Sequence, residues 1–159
     1  MNERPSQRLN DRVLKVWLVE GIIHSTIIWL LVIGLAVLTM IFDLPWYFLA
    51  IAIVFILLYT WFFVFLFPKL RWRRWTYDIH EQEIDLLRGV VFTTRTIIPM
   101  VRIQHVNTKQ GPILRRYGLA SITFSTAAGT HEIPGLSTDT ADQVRERIAE
   151  LARVSREDV

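Results

Sequence analysis

Two hydrophobic patterns divide the chain. From Ile22 to Phe42 it reads IIHSTIIWLLVIGLAVLTMIF, with no Asp, Glu, Lys or Arg. As a helix rising 1.5 Å per residue, this run is about 31 Å long, close to the hydrocarbon thickness of a bilayer. Trp46 to Phe67 is equally free of charge and about 33 Å long by the same measure. Only Asp43-Leu44-Pro45 lies between them. A link so short requires an antiparallel hairpin, and Pro45 suits the first turn of the second helix, with Asp43 favouring its N-terminus. A cleaved signal peptide is a poor description of the first run. It is long, begins some way into the chain, lacks a small-residue cleavage pattern and is followed by a second span.

Beyond Lys69 the continuous pattern gives way to alternation. Trp75, Tyr77 and Ile79 share one face of a strand, and His80 to Glu83 form a polar turn. Ile84 to Arg88 gives a second strand, Gly89 breaks it, and Val91 to Ile98 gives a third ended by Pro99. A strand over Ile103 to Thr108 leads to a turn at Gln110-Gly111-Pro112 and a single helical turn over Ile113 to Tyr117, closed by Gly118. Ser121 to Thr126 and His131 to Ile133 are the last strands, around an Ala127-Ala128-Gly129 turn. Ala141, Val144, Ile148 and Leu151 repeat at helical spacing, with Thr140 and Gln143 as a capping box and a frayed tail after Val154. The expected organisation is a basic leader (1–21), a membrane hairpin (22–67, with spans 22–42 and 46–67), a small β-rich domain (68–154) and a tail (155–159).

Charge orients this arrangement. Arg4, Arg8, Arg12 and Lys15 precede the first span, and Lys69, Arg71, Arg73 and Arg74 follow the second. The connecting turn has no basic residue, so the positive-inside rule places both termini in the cytoplasm. Trp17 and Trp72 suit the inner interfacial belt, and Trp46 and Tyr47 the outer one. The net charge of +3 is too small to suggest a nucleic-acid binder, and the absence of cysteine excludes disulfides and thiolate chemistry. His24, Ser25 and Thr26 sit near the cytoplasmic end of the first span, where an interhelical hydrogen bond explains them better than an ion path. Gly34 and Ala36 suit helix packing, within the hairpin or against other helices.

The stretch Ile98 to Gly135 closely resembles the bacterial pleckstrin-homology (PH)-like domain of YdbS-like membrane proteins. The resemblance is carried by Pro99 with Arg102-Ile103-Gln104-His105-Val106, by Gln110-Gly111-Pro112, by Arg115-Arg116-Tyr117-Gly118-Leu119-Ala120 and by Ile133-Pro134-Gly135-Leu136. The hairpin before the domain also matches. The resemblance implies an α+β fold: a two-helix membrane hairpin, then a PH-like, seven-stranded, two-sheet barrel or sandwich capped by the C-terminal helix. It also implies a bacterial inner-membrane location. It attaches no catalytic activity. Members often accompany a larger relative bearing several copies of the domain, which implies a complex with that relative; a homo-oligomer is the other partner expected.

Two groups of residues are candidates for function. Lys69, Arg71, Arg73 and Arg74 adjoin the headgroups, where each such charge is worth on the order of 1 kcal/mol near an anionic leaflet. Setting topology accounts for most of them. Arg115 and Arg116 form either an anion site or a solvated turn. Arg102, Gln104 and His105 form either a polar site or, the better reading, the neighbours of an inward Ile103 on a strand, facing out or hydrogen-bonding a loop. Gly118 is read as a backbone-determined position. No catalytic constellation stands out. His24, His80, His105 and His131 lack the i, i+4 spacing of a helical metal pair, and no nucleophile elbow, phosphate loop or dinucleotide pattern occurs. No metal, cofactor or nucleic acid is therefore expected. The function expected is an interaction or scaffold module at the cytoplasmic face. Anionic-lipid sensing, or service as an accessory subunit of a membrane transport or export complex, stands as the alternative.

Overall fold

A computed structural model of the protein describes residues 5–157, with side chains through Ser155. Arg4 of the leader and the last two residues of the expected tail lie outside the described residues. The chain divides into two compact units. One is the helical segment Trp17–Leu70, and the other joins the N-terminal residues through Val16 to everything from Arg71 onward.

The helical unit is a hairpin. α1 runs Val13–Ile41, α2 Trp46–Trp61, and a π-helical segment over Phe62–Leu66 passes without a break into α3, Phe67–Arg74. Both continuous runs are long and apolar enough to cross a membrane. Asp43 turns the chain between them with φ +48°. Ser25, Val32 and Thr39 are buried at intervals of seven along α1, the spacing of a left-handed helix–helix seam, with small and polar side chains that suit close contact in lipid. A Cβ on Gly21 would lie 3.5 Å from the Val64 backbone, whereas Gly34 has nothing within 4 Å. The hairpin thus packs through Gly21, and the Gly34 face is left to the surroundings.

Among the described residues seven strands form two antiparallel sheets. β1 is Gln7–Arg8, β2 Thr76–Ile79, β3 Glu83–Arg88 and β4 Thr94–Pro99, in that spatial order. β5 (His105–Lys109), β6 (Leu119–Thr126) and β7 (Gly129–Ser137) make the second sheet. The sheets remain separate, so the architecture is a sandwich and not a closed barrel. α4 (Pro112–Arg116) is the short helix before β6, and α5 (Thr138–Glu157) covers the core. Inward residues alternate as the sequence implies. Ile84 and Leu86 of β3, Ile122 and Phe124 of β6 and Ile148 of α5 are all at most 1% exposed.

Two elements differ from expectation, the leader and the C-terminal helix. The leader is not a separate basic segment. β1 pairs with β2, Gln7 opposite Tyr77, and Leu9, Val13 and Val16 lie in the core of the sheet-bearing unit. Two residues of strand leave too weak an alternation to detect, which is why composition alone suggested a leader. Trp72 is tied to it: its indole nitrogen donates to the Leu9 carbonyl at 3.2 Å. The C-terminal helix begins earlier than the Thr140–Gln143 box would set it, because the Ser137 hydroxyl accepts the Thr140 N–H at 3.2 Å and caps the first turn. It also continues past Val154 to Glu157, into the segment expected to fray.

One buried charge stabilises the first sheet. Asp85 of β3 is 2% exposed and accepts from Nε of Arg95, on β4 two residues from its register partner Ile97, at 2.9 Å. Arg95→Met should lower the melting temperature because it strands this carboxylate. Asp85→Leu combined with Arg95→Met should recover most of the loss, since an apolar pair needs no partner. Thermal unfolding of the two variants side by side checks this.

Candidate functional site

The basic collar occupies the end of the second helical run. Arg71, Arg73 and Arg74 fill the last turn of α3, where the helix dipole favours cations. Lys69, Arg73 and Arg74 are exposed to water. Arg115 and Arg116 lie elsewhere, at the end of α4, and are also exposed. The leader reaches this second position: the Arg12 guanidinium lies 3.9 Å from where a Cβ on Gly118 would sit.

The other motif residues hold the fold together. Met100–Arg102 is a 3-10 turn, and Ile103 leaves it with its side chain 1% exposed. The Gln104 N–H donates to the Ser125 carbonyl at 2.8 Å and starts the β5–β6 ladder. Arg102, Gln104 and His105 face solvent. Gly118 adopts φ +64°. Its N–H donates to Arg115 and its carbonyl accepts from Thr138, the first residue of α5. One glycine therefore joins α4, β6 and α5. The Gln110 side chain donates to the Leu119 carbonyl at 2.8 Å and braces the same corner. The motif by which the family is recognised is largely a set of backbone joints.

Among the described residues no group of three or more His, Cys, Asp or Glu side chains could hold a metal ion. His131, on β7, stacks on Phe124 with ring centroids 5.8 Å apart. Its Nδ1 is buried without a hydrogen-bond partner. Burial, and then the charge of Arg88, hold its pKa below the usual 6.5. The folded state therefore prefers the neutral imidazole. This contribution to stability is full above pH 6.5 and is lost as the pH falls toward the lower folded value. His131→Phe should flatten the pH dependence of unfolding in that window, as denaturant titrations at pH 7.5 and 5.5 (about one unit either side of the ordinary histidine value) would read. Burial, and then Asp78, push the Tyr77 phenol up, so it stays protonated.

Two features escaped sequence reasoning. The core-forming leader was one. The other is Val91-Phe92, which reads as the start of a strand but lies in the loop before β4, because the strand begins only at Thr94. Its signal in the sequence is Gly89, whose φ of +129° ends β3 and turns the chain. A third surface is a groove of about 450 Å³ beside α5, bordered by Gln82, Val101, Leu151 and Val154.

Comparison with known proteins agrees with this geometry. Residues 21–152 match the family described as Bacterial PH domain. The chain is 43% identical to the UPF0699 transmembrane protein YdbS of Bacillus subtilis (strain 168), over the full length of both. It is 29% identical over 83 residues to the UPF0699 transmembrane protein YdbT of the same organism, which covers 50% of this chain but only 17% of that protein. No solved structure matches. The match over residues 21–152 and the full-length identity to a transmembrane protein establish that the chain belongs to the bacterial PH domain family.

Proposed function

We propose that this protein is an interaction module fixed at the cytoplasmic face of the inner membrane, where its PH-like unit assembles with related membrane proteins. The observation that carries the reading is the discontinuity of that unit. Its first strand precedes the hairpin and the remainder follows it, so the unit is joined to the hairpin at two points along the chain. Such anchoring raises the effective concentration of any partner held in the same membrane, so modest intrinsic affinity suffices. The β1–β2 pairing supports placing both ends of the hairpin on one side. The basic residues flanking the hairpin, against an uncharged-to-acidic turn, support the cytoplasm as that side. The similarity to part of the much longer YdbT supports a partner that carries the same kind of domain.

The groove beside α5 suits a peptide or helix from such a partner. Val101 and Val154, at 42% and 43% exposed, provide apolar contact. Pull-down of the tagged chain from native membranes in mild detergent should recover a stoichiometric membrane protein. Val101→Glu with Val154→Glu should lose that protein and leave the melting temperature nearly unchanged, because both positions are surface ones. A chain that emerges alone with bound anionic lipid would overturn the reading in favour of lipid sensing, with Lys69, Arg71, Arg73, Arg74, Arg115 and Arg116 as the residues to test.

A further inference from the structure

Val91 and Phe92 are 79% and 85% exposed, more than any other large apolar residue described in the sheet-bearing unit. They form the tip of the loop between β3 and β4. The register shows which end of the sheet this is. Arg8 lies opposite Thr76, Thr76 opposite Leu87, and Leu87 opposite Arg95. β1 leads into α1 just beyond Arg8, and β2 begins just after α3. The chain therefore leaves for the hairpin, and returns from it, at the end of the sheet that carries this loop.

A hydrogen bond ties the loop to the same place. Arg74, the last residue of α3, donates from Nη1 to the Val90 carbonyl at 2.9 Å. Arg74 lies seven residues beyond Phe67, where the uncharged run ends, which is only about 10 Å along a helix. The loop also has a defined shape. A Cβ on Gly89 would fall 1.8 Å from the Phe92 carbonyl oxygen, so the chain closes directly over the glycine. Arg88 at the loop's base and Arg73 and Arg74 on α3 are exposed. An apolar tip with a cationic rim matches the layering of a leaflet, with phosphates outside and acyl chains beneath.

We propose that the Gly89–Thr93 loop is a lipid-inserted wedge. Val91 and Phe92 enter the boundary between headgroups and acyl chains, in the leaflet where the hairpin ends. The inference goes beyond the interaction-module reading and rests only on the hairpin spanning a bilayer. It gives the PH-like unit a further attachment besides the two chain crossings, restricting its tilt at the surface and so fixing which faces remain open to partners.

The chain has no cysteine, so single labelling sites can be introduced without background. Phe92→Cys, Glu81→Cys and Leu31→Cys would each carry a polarity-sensitive fluorophore on the full chain. Each would be reconstituted into phosphatidylcholine–phosphatidylglycerol vesicles, with and without lipids bearing a nitroxide on the acyl chain. Glu81 lies in the β2–β3 turn at the opposite end of the same sheet, and Leu31 lies within the hairpin. Position 92 should lose most of its emission to the nitroxide lipids, as position 31 does, while position 81 keeps its own. Quenching at 31 but not at 92 would overturn the wedge and leave the membrane hairpin standing. So would a label at 92 that is shielded from aqueous iodide yet untouched by nitroxide lipid, because a second protein surface would then cover it. Escape of position 31 from quenching would remove the membrane premise itself.

Discussion

Gly135→Ala should lower the unfolding free energy of the sheet-bearing unit by about 3 kcal/mol, combining a left-handed backbone penalty with overpacking. Gly135 sits in β7 at φ +63°, and a Cβ there would fall 2.3 Å from Cγ2 and 2.6 Å from Cβ of Val13. The Cβ of a β-branched residue at the start of a helix cannot swing away as the end of a long side chain can. The Asn10 N–H also donates to the Gly135 carbonyl at 3.3 Å, so relief of the clash would pull the N-terminal segment off the sheet. Gly118→Ala is the informative control. Its φ of +64° is nearly the same, but the nearest outside atom is Arg12 Nη1 at 3.9 Å. It should cost only the backbone part, about 1 kcal/mol. For a unit of this size the two variants should differ in melting temperature by roughly 10 °C. Thermal unfolding of both in detergent, followed through the fluorescence of the buried Trp75, reads the difference. Equal shifts would mean that Val13 does not press on β7 as described.

Removal of the residues through Arg12 should be at least as damaging. The truncated chain loses β1, the burial of Leu9 at 2% exposure, the Trp72 bond to Leu9 and the bond from the Ser6 N–H to Asp78 at 2.9 Å. Leu9 burial accounts for about 2 kcal/mol, and the hydrogen bonds add about 1 kcal/mol each. The loss also bares the β2 edge, an unpaired template for another strand. Residues 71–159 expressed alone should therefore aggregate or be digested rapidly. Residues 5–16 joined to 71–159 through a flexible linker in place of the hairpin should give a protease-resistant soluble protein. If 71–159 alone resists protease equally, the leader is dispensable and the core assignment of Leu9 is wrong.

The sequence carried the hairpin most clearly, because two long uncharged runs separated by three residues have one arrangement available. It also carried β3, β6 and α5, whose apolar positions recur at intervals of two, or of three and four. The motif around Gly118 led to the fold through resemblance, and the structure supplies the reason: its carbonyl and N–H join three elements. The leader was illegible because β1 has only two residues and its partner lies across the hairpin, so no local period records the pairing. The Ser137 cap lay hidden beneath a plausible capping box three residues on. Val91-Phe92 was misread because β-branched and aromatic residues favour strands in general, and only the tertiary setting shows this pair exposed. The cationic candidates could be named from their position beside the span, but which of them face solvent depends on helix phase and on the turn at α4.

The pairing of β1 with β2 makes the fold a test of its own insertion. β1 is synthesised first and waits for a partner that emerges only after both helices. If one helix fails to cross, the two strands end on opposite sides of the bilayer and the sandwich cannot close. The misinserted chain then presents an unfinished sheet edge and an uncovered core, both open to quality-control proteases. In the topology proposed above, with both helices crossing, correct insertion and a completed fold are thus a single event.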